Sequence, residues 1–271
     1  GAGRTAAAGG GAGGVGATND DDAGAVMPKA GSGGTTEPQA GSAGTMMPTA
    51  GTVAMPTAGT VAMPRMDLGK GDGRDVITIG DSWMNNTLLT GTAIEGALDR
   101  LTMQPYRHYA VQGVLLLQAS AFGPAIPSQY ATAKRQDPDI KTVLMTGGGN
   151  DIIQNASVQS SCSSGGEACK MKLMEISNAL NELWTQMAAD GVQDVVLIRY
   201  SDDAGSTDPT VRMMATTPPA ICTSGKIHCH SIASTEAVMG DLQDGIHPTR
   251  AANDRLAKVI WDYLVKNGIR R

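Results

Sequence analysis

From residue 75 onward, apolar positions follow two spacings in turn. Residues 75–79 form a short β-branched run that stops at Gly80 and predicts a strand. Over 84–101 the apolar side chains Leu88, Ile94, Ala97, Leu98 and Leu101 recur at helical spacing. A second strand is predicted at 107–111, a helix at 128–135 and a third strand at 141–145. Residues 170–189 predict the longest helix, with Leu173, Ile176, Leu180, Leu183, Trp184 and Met187 on one face. Gly191 stands just past its end, where a C-cap glycine belongs. The nearly unbroken apolar run 195–200 is of the kind buried on both sides in a parallel sheet, and 227–232 is a weaker fifth strand. A last helix is predicted from near Pro248, with Ala252, Leu256, Val259, Ile260 and Leu264 turned inward. Strands alternating with helices predict an α/β domain, a mainly parallel five-stranded sheet with helices on both faces.

Before residue 75 neither spacing is present. The stretch 1–74 is rich in Gly, Ala, Thr, Pro and Met and has no aromatic residue, so it cannot bury enough apolar surface to offset chain entropy. Its octapeptide MPTAGTVA at 47–54 returns unchanged at 55–62, a unit too short and too polar to build a solenoid. The division expected is a disordered linker over 1–74 and one folded domain over 75–271. As a flexible coil the linker would span roughly 45 to 50 Å, a length suited to tethering a domain off a surface. Its methionines read as composition, not as a metal-binding device.

The four cysteines fall into two local pairs, Cys162 with Cys169 and Cys222 with Cys229. They read as two short disulfide loops, which persist in an oxidising compartment. A metal site is the competing reading, because His228 and His230 flank Cys229. Alternate strand residues face opposite ways, however, and this turns the thiol away from both histidines, so no metal is expected. The sequence starts at Gly1 with no charged-then-apolar leader, so a secreted, cell-surface or periplasmic location is inferred from linker and cysteines alone. A net charge of −5 with scattered acidic residues excludes a basic footprint for nucleic acid. No apolar run approaches the roughly 18 to 20 residues of a transmembrane segment.

In parallel α/β sheets the reactive groups stand beyond the C-terminal ends of the strands. Three polar blocks occupy such places. Gly80-Asp81-Ser82-Trp83 follows the first strand, Gly147-Gly148-Gly149-Asn150-Asp151 follows the third, and Asp244-Gly245-Ile246-His247-Pro248 precedes the last helix. The glycine run does not read as a phosphate loop, since no Lys-Ser or Lys-Thr follows and the next helix is expected only after a delay. A serine hydroxyl is a weak nucleophile at neutral pH and needs a base within hydrogen-bond reach. Of the four histidines, only His247 follows an aspartate by three residues just ahead of a helix, so Asp244 would fix its tautomer. His108, inside a strand, reads as structural. Taken singly, Ser82 reads as a helix N-cap and Asn150 as a turn residue. Their ordered combination carries the chemistry.

These blocks resemble the SGNH/GDSL hydrolase family over about residues 75–264. Gly80, Asp81 and Ser82 are similar to its nucleophile block, with Trp83 where the name-giving motif has Leu; Gly148, Asn150 and Asp151 are similar to its G-x-N-D block, and Asp244 and His247 to its D-x-x-H block. Gly113 is similar to the glycine of its second block. The resemblance implies a flavodoxin-like three-layer α/β/α sandwich. It also implies a catalytic Ser82, His247 and Asp244, an oxyanion hole from the Ser82 and Gly113 N–H groups with the Asn150 amide, and no cofactor. The expected activity is hydrolysis of a carboxylic ester through an acyl-enzyme. The substrate is left open between O-acetyl groups of a polysaccharide and a lipid or thioester with a longer acyl chain. A surface-displayed glycan-binding module without catalysis is the reading from another class.

Overall fold

The computed structural model describes residues 73–87, 91, 93–201 and 219–271. The stretch read as a linker lies outside the described residues apart from Gly73 and Arg74, and so does Leu88 of the first helix prediction. In chain order the elements are β1 (Val76–Ile79), α1 (Ile94–Thr102), β2 (Arg107–His108), α2 (Ile126–Gln136), β3 (Thr142–Met145), α3 (Gly149–Ile153), α4 (Ala156–Ser163), α5 (Glu167–Ala189), β4 (Asp194–Ile198), β5 (His228–Ile232), α6 (Thr235–Val238) and α7 (Arg250–Lys266). The five strands form one sheet in the order β2-β1-β3-β4-β5, and every pairing is parallel. This is the flavodoxin-like order expected.

Each inner strand buries both faces, which is why the strand sequences lack polar alternation. Ile77, Ile79, Val143, Met145 and Val195 face one layer, where Tyr130 of α2 and Ile176, Leu183 and Trp184 of α5 pack. Val76, Leu144, Val196 and Ile198 face the other, against Ile94 and Leu98 of α1 and Leu256 and Ile260 of α7. The alternation along each strand thus separates two cores.

Four of the boundaries that differ from expectation are informative. The helix expected over 84–101 begins only at Ile94. Ahead of it, Met84 and Asn85 both donate backbone N–H to the Asp81 carbonyl at 3.0 Å. The Asn85 side chain takes the Thr87 N–H at 3.3 Å, a local bond that competes with helix. The second strand keeps only Arg107 and His108 as formal strand, yet Tyr109 and Val111 still donate to Thr78 and Gly80 at 2.9 and 3.1 Å along the edge of β1. The delay expected after the glycines is absent, because α3 starts at Gly149 itself. Finally, Pro248 precedes α7 instead of opening it: Thr249 is the N-cap, its side chain accepting from the Ala252 N–H at 3.2 Å. Val259 is 39% exposed, and the inner face continues through Ala257 and Trp261 instead.

Both cysteine pairs are bonded, Cys162 to Cys169 and Cys222 to Cys229. The first ties α4 to the start of α5, and the second ties the turn at Ala220–Thr223 to β5. Opposite Cys229, His228 and His230 meet Asp194 Oδ1 at 3.2 and 3.0 Å. Among the described residues no three His, Cys, Asp or Glu side chains are grouped to hold a metal, and no helix is long and apolar enough to cross a membrane.

Candidate active site

The Gly80–Trp83 block is shaped by the close passage of two strand exits. Gly80 has φ +141°, and a Cβ there would stand 2.3 Å from Thr146 Oγ1, just past β3. Only glycine lets the chain turn away at that point. Gln129 of α2 holds the same residue from the other side, accepting from the Gly80 N–H at 2.7 Å and donating to its carbonyl at 2.9 Å. Asp81 then takes the Trp83 N–H at 3.1 Å and the Thr146 hydroxyl at 3.0 Å on Oδ1. Asp81, not Ser82, therefore makes the local turn bond, and this leaves the Ser82 hydroxyl uncommitted to the backbone.

His247 Nε2 lies 2.8 Å from Ser82 Oγ, and His247 Nδ1 lies 2.6 Å from Asp244 Oδ2. The second carboxylate oxygen of Asp244 accepts from the Ile246 and His247 N–H groups at 3.0 and 2.7 Å. The loop is pinched behind by Gln243 N–H to the His247 carbonyl at 3.0 Å. Burial alone would raise the Asp244 carboxyl, but the bonds from the His247 ring and from two backbone N–H groups outweigh it and hold the group below its ordinary range. Asp244 thus stays an acceptor, Nδ1 keeps its proton, and Nε2 is left with a lone pair toward Ser82. Ser82 is 8% exposed and His247 9%, so both are shielded yet reachable.

The third block closes the opposite side. Gly148, at φ +94°, is the N-cap of α3. Asn150 lines the same cavity as Ser82, and its Nδ2 donates to the Val114 carbonyl at 3.0 Å. That bond uses one of the two amide hydrogens. Asp151 accepts from the Leu116 and Leu117 N–H groups at 2.8 and 3.0 Å, fixing the loop that follows Gly113, and burial pushes its carboxyl up against those two bonds. Gly113 itself has φ +71°, and a Cβ would meet the Phe122 ring at 2.5 Å. Its carbonyl accepts from Ser120 and Gln154, and it is not part of the cavity lining. The structure thus lines one cavity with Ser82 and Asn150 and joins His247 and Asp244 to it through the Ser82 hydroxyl, while Gly113 stands outside the lining.

Tyr200 joins the site without having been singled out by any motif. It stands just past the end of β4, donates its hydroxyl to Asp81 Oδ2 and accepts from the Gly149 N–H at 3.3 Å. Its ring meets that of Trp83 edge-on, centroids 5.3 Å apart. Burial drives the Tyr200 phenol well above its ordinary range, helped by the neighbouring Asp81 charge, so it remains a donor. Burial also raises Asp81, opposed first by the Tyr200 bond. The available signal was position, a tyrosine at the C-terminal end of a buried strand. His108, by contrast, is held by Thr78 at 2.9 Å and Asp99 at 3.0 Å, the structural role expected.

The parallel sheet in this order is shared with several solved structures. The chain is similar to a family two carbohydrate esterase from Clostridium thermocellum, solved in complex with cellohexaose: TM-score 0.50, 15% identity, 73% of this chain and 65% of that one covered. It is also similar to Est24, a carbohydrate acetylesterase from Sinorhizobium meliloti (TM-score 0.48, 16% identity, 71% and 98% covered). An acetyl xylan esterase from Geobacillus stearothermophilus matches with TM-score 0.44 and 16% identity over 74% and 97% of the two chains. At such identities the likeness is one of fold. No protein-family model and no curated protein matches the sequence.

Proposed function

We propose that the chain is an exported serine esterase of the SGNH/GDSL type that removes O-acetyl groups from a polysaccharide through an acyl-enzyme. The observation that carries this reading is the continuous relay Asp244 Oδ2, His247 Nδ1, His247 Nε2 and Ser82 Oγ, at 2.6 and 2.8 Å. Ser82 attacks the ester carbonyl as His247 takes its proton; the same proton goes to the departing sugar oxygen, and a water then repeats the sequence to free acetate. The free amide hydrogen of Asn150 and the N–H groups of Ser82 and Gly113 are the donors assigned to the oxyanion.

The acetyl assignment is supported by size. The cavity against Ser82 has a volume of about 20 Å³, little more than one water occupies. A methyl group fits there, and the recess opens to solvent, so profiling from acetyl to decanoyl esters separates this reading from a longer-chain lipid or thioester substrate. Two disulfides support an oxidising compartment. The test is Ser82→Ala, which should lower turnover of a small aryl acetate on the order of 10⁴ to 10⁶-fold with the fold intact. Near-normal hydrolysis by that variant would sink the assignment. Binding of glycan by wild type and variant alike, with no esterase activity in either, would support a display module instead.

A further inference from the structure

Tyr200 is held in a way that its burial alone does not require. Its hydroxyl bridges two blocks of the site, donating to Asp81 and accepting from the Gly149 N–H at 3.3 Å. Its ring touches Trp83 edge-on, so both chain neighbours of Ser82 contact this one side chain. On the far side it is packed so tightly against the backbone that a Cβ at Gly149 would come within 2.9 Å of two ring carbons. Glycine at 149 therefore answers to the tyrosine ring, not to a turn. Asp81, at 1% exposure, would be left short of a buried hydrogen bond if the phenol swung out.

That fixed ring is one wall of the small cavity beside Ser82, which Asn150 also lines and which Trp83, Ile153 and Ile246 complete. An acyl chain carried on Ser82 that extends into this recess meets the Tyr200 ring. Ile153 is 36% exposed and can yield, whereas Tyr200 is pinned at its hydroxyl and along its ring. We propose that Tyr200 is the specificity-determining residue of the acyl subsite, a fixed wall that admits acetyl and rejects longer acyl groups. The inference rests on the esterase reading above and adds the residue that sets chain length.

The experiment is the ratio of kcat/KM for p-nitrophenyl acetate over p-nitrophenyl hexanoate, measured for the full chain and its variants. Wild type should favour acetate by at least about a hundredfold. Tyr200→Ala should lose overall rate, because Asp81 and the Gly149 N–H lose a partner, but its ratio should fall at least tenfold as hexanoate gains access. Tyr200→Phe keeps the wall and loses the hydroxyl; its rate should drop while the ratio stays within about threefold of wild type. Should Tyr200→Ala fail to fold, Tyr200→Leu fills the inner part of the site and should still lower the ratio. An unchanged ratio in a folded, active Ala or Leu variant overturns the proposal, as does a wild type that hydrolyses both esters equally well. A wild type inactive on every ester, by contrast, defeats the esterase reading itself.

Discussion

Replacing Asp244 by Asn and by Ala separates two services that the carboxylate performs for His247. Its Oδ1 caps the Ile246 and His247 N–H groups at 3.0 and 2.7 Å, while Oδ2 meets His247 Nδ1 at 2.6 Å. Asparagine can keep the backbone bonds only by turning its oxygen to them, which aims its NH₂ at Nδ1. The ring must then carry its proton on Nε2, the atom that has to receive the Ser82 proton. In a buried Ser-His-Asp triad such a wrong tautomer costs about 10⁴ in kcat. The Asp244 side chain is 44% exposed, so water competes at this position and the expected loss is smaller, about 10³, or about 4 kcal/mol. Alanine opens the same space to water, which can accept from Nδ1–H and preserve the working tautomer. Its expected loss is about 10². Steady-state hydrolysis of an aryl acetate, with Ser82→Ala as the floor and thermal melting as the check on folding, measures both. An Ala variant as damaged as the Asn variant, or either variant within threefold of wild type, would refute the tautomer argument.

Asn150→Ala should lower kcat on the order of 10² to 10³-fold with little change in KM, since an oxyanion donor acts in the transition state; a loss confined to KM would remove it from that role. Glu95 is buried beside Thr78, with Oε1 2.5 Å from the hydroxyl, His108 3.6 Å away and Asp99 adding like charge; burial pushes its carboxyl up to about 8. A raised carboxyl binds its proton more firmly in the native state, so its contribution to stability is full in acid and is lost as pH climbs toward about 8. Glu95→Gln should flatten the fall of melting temperature between pH 5 and 8, whatever its absolute cost, and parallel curves for variant and wild type would contradict this.

The sheet was legible because β1, β3 and β4 bury both faces, and an uninterrupted apolar run is what such burial demands. The failures came where the chain serves the site. Residues 84–87 begin a stretch whose apolar spacing imitates a helix, yet Trp83 and Met84 are buried in the core while Asp81 and Asn85 tie the backbone into turns. Val259 shows the opposite error: a branched apolar side chain at plausible helical spacing, but on the outer edge of the stripe and 39% exposed. Periodicity reports that a face is apolar; where that face ends depends on which elements pack beside it.

The site was legible block by block, since each block keeps its own turn residues, but how the blocks meet is a matter of sheet register. Ile79 pairs with Met145, and Met145 with Leu197. Counting outward from those pairs puts Gly80 beside Thr146, where the close approach is found, and sets Tyr200 level with Gly148 at the mouth of the cavity. The tyrosine is thus a consequence of the same registration that aligns Ser82 with the Asn150 loop. It has no motif because its partners, Asp81 and Gly149, lie on two other strand exits, and no spacing along one chain segment encodes a contact among three. The same argument explains the robustness of its placement: moving Tyr200 would require breaking either the parallel ladder on both sides of β3 or two part-buried hydrogen bonds at once. A fixed wall beside Ser82 is therefore a property of the sheet itself, and acyl-chain selectivity should persist through changes to surface loops that leave β3 and β4 paired.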